Sequence, residues 1–175
     1  MSLKRIHKDQ RGSAAIEFAL IAPVAILLYC GFAELTMAMM AERRAAHAAS
    51  VVADLVTQNI QLHVADIDDM YTIGGSIMHP FPAGPLKLRI TSITADANAV
   101  PQMTWSRGYG GLGPLPAGQV TGFPANLLVA GDSVVEADVQ YAFTSPLRMV
   151  LPNGLTFKSS FYLRPRRSPS VTLLP

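Results

Sequence analysis

Arg11-Gly12-Ser13-Ala14-Ala15-Ile16-Glu17-Phe18 is the stretch on which the reading of this chain turns. A basic head ends at the glycine, a carboxylate stands five residues beyond it, and an apolar run begins that continues to Met40. No residue from Phe18 to Ala33 is charged, and Leu35 to Ala41 carries the run past Glu34, so 24 positions hold a single charge. A helix crosses the ~30 Å hydrocarbon core of a bilayer with roughly 20 mostly apolar residues. As a single segment it also satisfies its own backbone amides, which a lone strand cannot do. Residues 13–41 are therefore expected as a transmembrane helix, preceded by a basic leader over residues 1–12. Pro23 falls in the first turns of the run, where a helix tolerates it better than at its centre.

The charge distribution supports this division. Lys4, Arg5, Lys8 and Arg11 stand against Asp9 alone in the first 12 residues, while the rest of the chain has 10 basic and 11 acidic residues. The formal net charge of +2 is thus a topology signal rather than a nucleic-acid footprint, and no nucleic-acid partner is expected. Four Lys/Arg precede the span and only Arg43 and Arg44 follow it closely, which places residues 1–12 in the cytoplasm and the remainder outside. The single cysteine, Cys30, lies inside the apolar run, so no intrachain disulfide can form. The run is longer than the 7–15 apolar residues of a secretory signal, and no small-x-small cleavage site closes it.

Two carboxylates bound the span. Glu34 is near its far end and reads as an interfacial charge beside Glu42, Arg43 and Arg44. Glu17 is at the boundary on the Gly12 side, next to Phe18. In this setting Gly12-Ser13-Ala14-Ala15-Ile16-Glu17-Phe18 resembles the processing site of type IV pilins and pseudopilins of the tight-adherence (Tad, Flp) kind. Ala19-Leu20-Ile21-Ala22-Pro23 and Gly31-Phe32-Ala33-Glu34 are similar to the TadE/TadG-like membrane segment, as are Glu42 to Val56 and Tyr162-Leu163-Arg164-Pro165-Arg166. The resemblance is dense over residues 11–58, thin in the middle and brief again near the end. Phe18 stands where tyrosine is commoner in major pilins, and the chain is far longer than theirs. Both departures point to a TadE-like minor pseudopilin rather than the fibre subunit.

The resemblance implies a set of roles. A prepilin peptidase would cut between Gly12 and Ser13, and Glu17, with Phe18 beside it, would pair with the new amino terminus of a neighbouring subunit. The implied partners are the inner membrane, the peptidase, other pilins or pseudopilins, and the pilus assembly platform. The implied location is a single pass through the bacterial inner membrane with a periplasmic C-terminal domain, from which the subunit can also pass into the pilus. An uncleaved single-pass accessory protein of the same secretion system is the alternative, and a membrane-tethered periplasmic hydrolase a more distant one.

Beyond the membrane, residues 42–80 are expected as a periplasmic helical segment. Ala45, Ala46, Ala48, Ala49 and Ala53 are strong helix formers. From Val52, apolar residues recur at Leu55/Val56, Ile60, Val64, Ile67 and Met70/Tyr71, a helical spacing with one face to bury. A break is expected near His63 to Asp66, with Asp66 capping a second helix through Ile77. Residues 81–165 change to period two. Leu86, Leu88 and Ile90 alternate with Lys87, Arg89 and Thr91; a second strand lies around Gln102 to Arg107; Val134 to Phe143 is a third; Thr156 to Leu163 is a fourth, after a turn at Pro152-Asn153-Gly154. Between Gly108 and Gly122 a glycine- and proline-rich stretch reads as a mobile connector, and 166–175 as a loose tail. The expected fold is α+β and pilin-like: a long N-terminal transmembrane helix continuing into an amphipathic helix, packed on a small antiparallel sheet.

Catalysis finds little support in the residues. His7, His47, His63 and His79 sit in no recognisable catalytic motif, and no cofactor or metal is expected. Asp66, Asp68 and Asp69 lack the glycine and final glutamate of a calcium loop. Glu136 and Asp138 share a strand face and could serve as an acid pair, but alternating polar residues are ordinary on a half-exposed strand. The chain reads as a substrate rather than an enzyme.

Overall fold

The computed structural model describes residues 12–118, 120, 122–124 and 127–175. The expected leader, Gly12 apart, lies outside the described residues. One helix, α1, runs from Ser13 to Thr57 and passes Pro23 without a break. At ~1.5 Å per residue its 45 residues form a rod of roughly 68 Å. Its first part, Ser13 to Tyr29, is bare apart from a half-buried Ala22, and the helix is long and apolar enough to cross a membrane. Its second part buries Ala38, Ala41, Ala45, Ala48, Ala49, Val52, Ala53 and Val56. The alanines are therefore more than helix formers: their spacing of three and four makes a stripe of small residues along which the backbone can lie close to its neighbours.

Helix α1 ends at Thr57, with Gln58 as its C-cap, and the chain turns into a three-residue strand β1 (Gln61–His63) before helix α2 (Val64–Ile77). This break comes earlier than the sequence suggests. Asp66 does not cap α2. His63 holds that position, and the Asp66 carboxylate, three residues inside, accepts the His63 backbone N–H at 2.7 Å in a capping box. Ile60, expected on the buried face, is exposed as a result, while Ile67 and Tyr71 are fully buried.

Four strands follow: β2 (Leu86–Ala95), β3 (Pro101–Tyr109), β4 (Ser133–Phe143) and β5 (Leu155–Leu163). They pair antiparallel in the order β3-β2-β4-β5, the small antiparallel sheet expected, with β4 beside β2 rather than β3. Leu86, Leu88 and Ile90 of β2 sit opposite Tyr141, Val139 and Ala137 of β4, and all six turn toward the helices to form the main core. The α+β layout expected from the sequence is the observed one. Helix α2 is fastened at several points. Tyr71 donates its hydroxyl to the Arg107 carbonyl at 2.5 Å, Arg107 pairs with Asp68 at 2.8 Å, and Arg44 of α1 donates to the Ile77 carbonyl.

Gly74 marks the closest approach of α2 to α1. A Cβ there would stand 2.9 Å from Val52 Cγ2 and 3.2 Å from Leu88 Cδ1, whereas one at Gly75 would meet only Ala83 at an ordinary 3.7 Å. Gly74→Val is expected to lower stability by about 1–3 kcal/mol through overpacking. Gly75→Ala, by contrast, is expected to be neutral or to add up to about 1 kcal/mol through helix propensity. Urea midpoints of the two variants, measured in the same detergent, check this: equal midpoints would contradict the packing account.

Residues 166–175, expected as a loose tail, are docked instead. Strand β6 (Thr172–Leu174) pairs in parallel with β1, Val171 is fully buried, and Trp105 Nε1 donates to the Val171 carbonyl at 2.7 Å. Arg166 pairs with Asp54 of α1 at 2.5 Å, and the Arg166 backbone N–H reaches the Thr57 carbonyl. Past the end of β3 at Tyr109, the described part of the stretch to Gly122 is irregular as expected. It lies over the far face of the sheet, where the Leu115 N–H donates to Ser106 Oγ, and further along Phe123 meets Tyr162 edge-on.

Candidate functional site

The four residues singled out at the start of α1 occupy its N-cap and first turns. Gly12 stands at the N-cap position, and with no side chain it makes no capping hydrogen bond. Ser13 is the first helical residue, and its hydroxyl donates to the Glu17 carboxylate at 3.0 Å. Both carboxylate and hydroxyl are exposed, as is Phe18 at 71 %. Glu17 thus lies one turn above Ser13 on the bare part of α1, within reach of the Ser13 hydroxyl.

Glu34 departs most from expectation. Rather than an open interfacial charge beside Arg43 and Arg44, it is fully buried. Its carboxylate accepts three successive backbone N–H groups, from Met149 at 2.6 Å, Val150 at 3.1 Å and Leu151 at 2.7 Å. These belong to the β4–β5 connection, which turns through Arg148 in the left-handed region at φ 53°. Successive N–H groups in such a turn make a concavity that suits an anion. Gly31, one turn before Glu34, makes room for this loop: a Cβ there would meet Val150 Cγ2 at 3.2 Å. No local signal could have revealed the contact, because Glu34 and its donors lie 115–117 residues apart.

Glu136 and Asp138 lie on the far face of the sheet, both on β4 and apart from Glu17. Asp138 accepts Arg89 Nη2 at 2.6 Å and Arg89 Nε at 3.0 Å, and it also accepts the Ser160 hydroxyl at 2.5 Å. Glu136 accepts the Tyr162 hydroxyl at 2.8 Å. A recess of about 160 Å³ between these groups and the glycine-rich stretch is lined by Arg89, Leu115, Pro116, Val120, Glu136 and Asp138. Each carboxylate is thus held by a partner on the sheet. Among the described residues no group of three or more His, Cys, Asp or Glu side chains is placed to hold a metal.

Burial raises the Glu136 pKa above its ordinary 4.5; the Tyr162 hydrogen bond opposes this, Asp138 adds to it and Arg89 opposes it. The folded chain therefore binds this proton more tightly than the unfolded one. Its contribution to stability falls as pH rises from 4.5 through the raised folded value, and it recovers on acidification. Glu136→Gln, which keeps an acceptor for Tyr162, is expected to flatten this part of the stability–pH curve and to be neutral or stabilising at pH 7. Denaturant midpoints between pH 4 and 8 provide the check, and an unchanged slope would contradict it.

A family model described as TadE-like protein matches residues 12–54, so the resemblance read over residues 11–58 is borne out across that stretch. The matched segment begins at Gly12 and includes Glu17, Phe18, Glu34 and most of α1, about a quarter of the chain. Its likeness suggests a role connected with tight-adherence pili, a structural rather than an enzymatic setting. No curated protein and no solved structure matches the chain.

Proposed function

We propose that this chain, TadE-like over residues 12–54, is a minor pseudopilin that takes part in tight-adherence pilus assembly through its N-terminal helix. The observation that carries the reading is the match beginning at Gly12, where a basic head meets a membrane-length helix whose first carboxylate is Glu17. The chain is a peptidase substrate and not an enzyme. It sits in the inner membrane with its head in the cytoplasm and its α+β domain in the periplasm.

A prepilin peptidase hydrolyses the Gly12–Ser13 bond. Water supplies the hydroxyl of the new glycine carboxyl and a proton to the new amino group on Ser13. Glycine suits the cut because its bare backbone enters a narrow cleft. The Ser13 hydroxyl already reaches Glu17 within one chain, so the freed ammonium has its own Glu17 as a first partner. In the assembled state the ammonium of a neighbouring subunit takes that place. A charge pair in hydrocarbon offsets its desolvation only with good geometry, which selects in-register packing of neighbouring helices. The uncut head withholds the amino group, and cleavage supplies it.

Intact mass and N-terminal sequence of the protein from its native membrane, with and without the peptidase, test the reading. A peptidase-dependent start at Ser13 is expected. A chain that keeps residues 1–12 in both backgrounds would instead make it a permanent accessory anchor. Glu17→Ala is expected to be cleaved normally yet to be recovered with other pilus components at a small fraction of the wild-type amount. Normal co-assembly of that variant would remove Glu17 from the mechanism.

A further inference from the structure

We infer that the β4–β5 loop is a second membrane contact: Leu147, Met149 and Val150 enter the acyl region of the leaflet on the side of the folded domain, held there by Glu34. The inference rests on residues 13–41 spanning the bilayer, and it concerns a part of the chain outside the TadE-like match.

Depth is the first argument. Counted from Ser13 as the foot of the span, Gly31 lies 18 residues along α1, about 27 Å at ~1.5 Å per residue, still within a hydrocarbon core of ~30 Å. Val150 packs on Gly31, and Val150 and Leu151 share an apolar hollow of about 320 Å³ with Leu27, Leu28 and Phe32. Whatever depth those helix residues occupy, the loop occupies too.

Composition is the second argument. Leu147, Met149 and Val150 are 46 %, 53 % and 47 % exposed, an apolar tip on a domain whose other large apolar residues mostly face the core. Arg148 stands among them and is also exposed. A long arginine at the edge of a bilayer keeps its stem in the apolar layer and its guanidinium among the phosphates.

The third argument is the backbone. Irregular chain at membrane depth is tolerated only where its polar groups find partners, because lipid offers none. Glu34 accepts the N–H groups of Met149, Val150 and Leu151, and they in turn solvate a carboxylate that the span could otherwise ill accommodate. A buried charge in the helix and an unpaired turn in the loop thus solve each other, and what is left facing outward is apolar apart from Arg148. Acyl chains are the occupant this surface fits: the hollow is open, lined by aliphatic side chains and Phe32, and continuous with the bare face of α1.

The full-length protein in phosphatidylethanolamine–phosphatidylglycerol vesicles, with lipids brominated in the upper acyl chain, provides the test. A bimane label is placed in turn on the native Cys30, and, in a Cys30→Ser background, on Met149→Cys, Leu147→Cys and Asn98→Cys. Asn98 is exposed in the turn between β2 and β3, at the opposite end of the sheet. Labels at 149 and 147 are expected to emit to the blue of the label at 98 and to lose emission to bromine as Cys30 does, while 98 loses none. If Cys30 is quenched but both loop labels behave like 98, the loop is in water and the inference fails. Blue emission at the loop without quenching would also overturn it, because protein and not lipid would then cover the tip. Absence of quenching at Cys30 itself would overturn the span, and the loop inference with it.

Discussion

In a Glu34→Ala variant the amides of Met149, Val150 and Leu151 exchange with solvent at least about tenfold faster than in the parent, while the Thr172 amide, bonded to the Ile60 carbonyl, keeps its protection. Among the described residues the three donors have no other acceptor, and the carboxylate that holds them is the loop's main tie to α1 besides the Val150 and Leu151 contacts. Hydrogen bonds to an ionised acceptor are stronger than neutral ones, so losing the charge matters beyond losing the atoms. Glu34→Gln separates the two effects. It keeps one carbonyl oxygen for the donors but turns an amide NH₂ group toward the rest, and its exchange rates are expected between those of the parent and the alanine variant. Hydrogen–deuterium exchange read by mass spectrometry in detergent micelles resolves the peptide spanning 144–154. Unchanged protection there would mean that the loop is held by its apolar contacts alone.

The second large effect is expected at Trp105. Its ring is 9 % exposed within the main core, and its Nε1 donates to the carbonyl of Val171, which is itself fully buried. Trp105→Ala removes a large buried ring and is expected to cost about 3–5 kcal/mol. Trp105→Phe keeps most of the packing but strands the Val171 carbonyl, at about 1–3 kcal/mol. Both variants should release the tail, so trypsin ought to cut the chain at Arg166 or Arg167 under conditions in which the parent resists. Denaturation midpoints together with the cleavage time course check this. A phenylalanine variant as protease-resistant as the parent would show that Arg166 and β6 hold the tail without the indole.

How far the fold was legible depends on the range of the interactions involved. The span from Phe18 to Ala41 and the alternations at Leu86–Ile90 and Val134–Phe143 are properties of neighbouring residues, and each appears where the pattern placed it. Asp66 was legible as a helix-start residue but not as to position, because the capping box uses the same acid three residues inside that a simple cap would use at the boundary. The alanines of α1 carry two meanings, helix propensity and close packing, and sequence alone does not separate them. The tail was missed because a three-residue parallel pair has no period to detect, and its anchors, Trp105, Asp54 and Thr57, lie far off in sequence.

The candidate site divides along the same line. Gly12, Ser13, Glu17 and Phe18 are a local motif and fall together in the first turns of α1, whereas Glu34 was visible as an anomalous charge but not as an acceptor for a distant loop. A charge placed where it is costly signals that a partner exists and gives no indication of which one.

The continuity of α1 also fixes an angle. Each residue of an α-helix advances by about 100°, so the 17 steps from Glu17 to Glu34 bring the two side chains to azimuths roughly 100° apart on the rod. The loop held by Glu34 occupies one flank of α1 and leaves the meridian of Glu17 clear. A neighbouring helix that engages Glu17 would meet α1 on that open side, and because the latch forbids the helix to spin against its own sheet, the azimuth of that encounter would dictate which way the folded domain points.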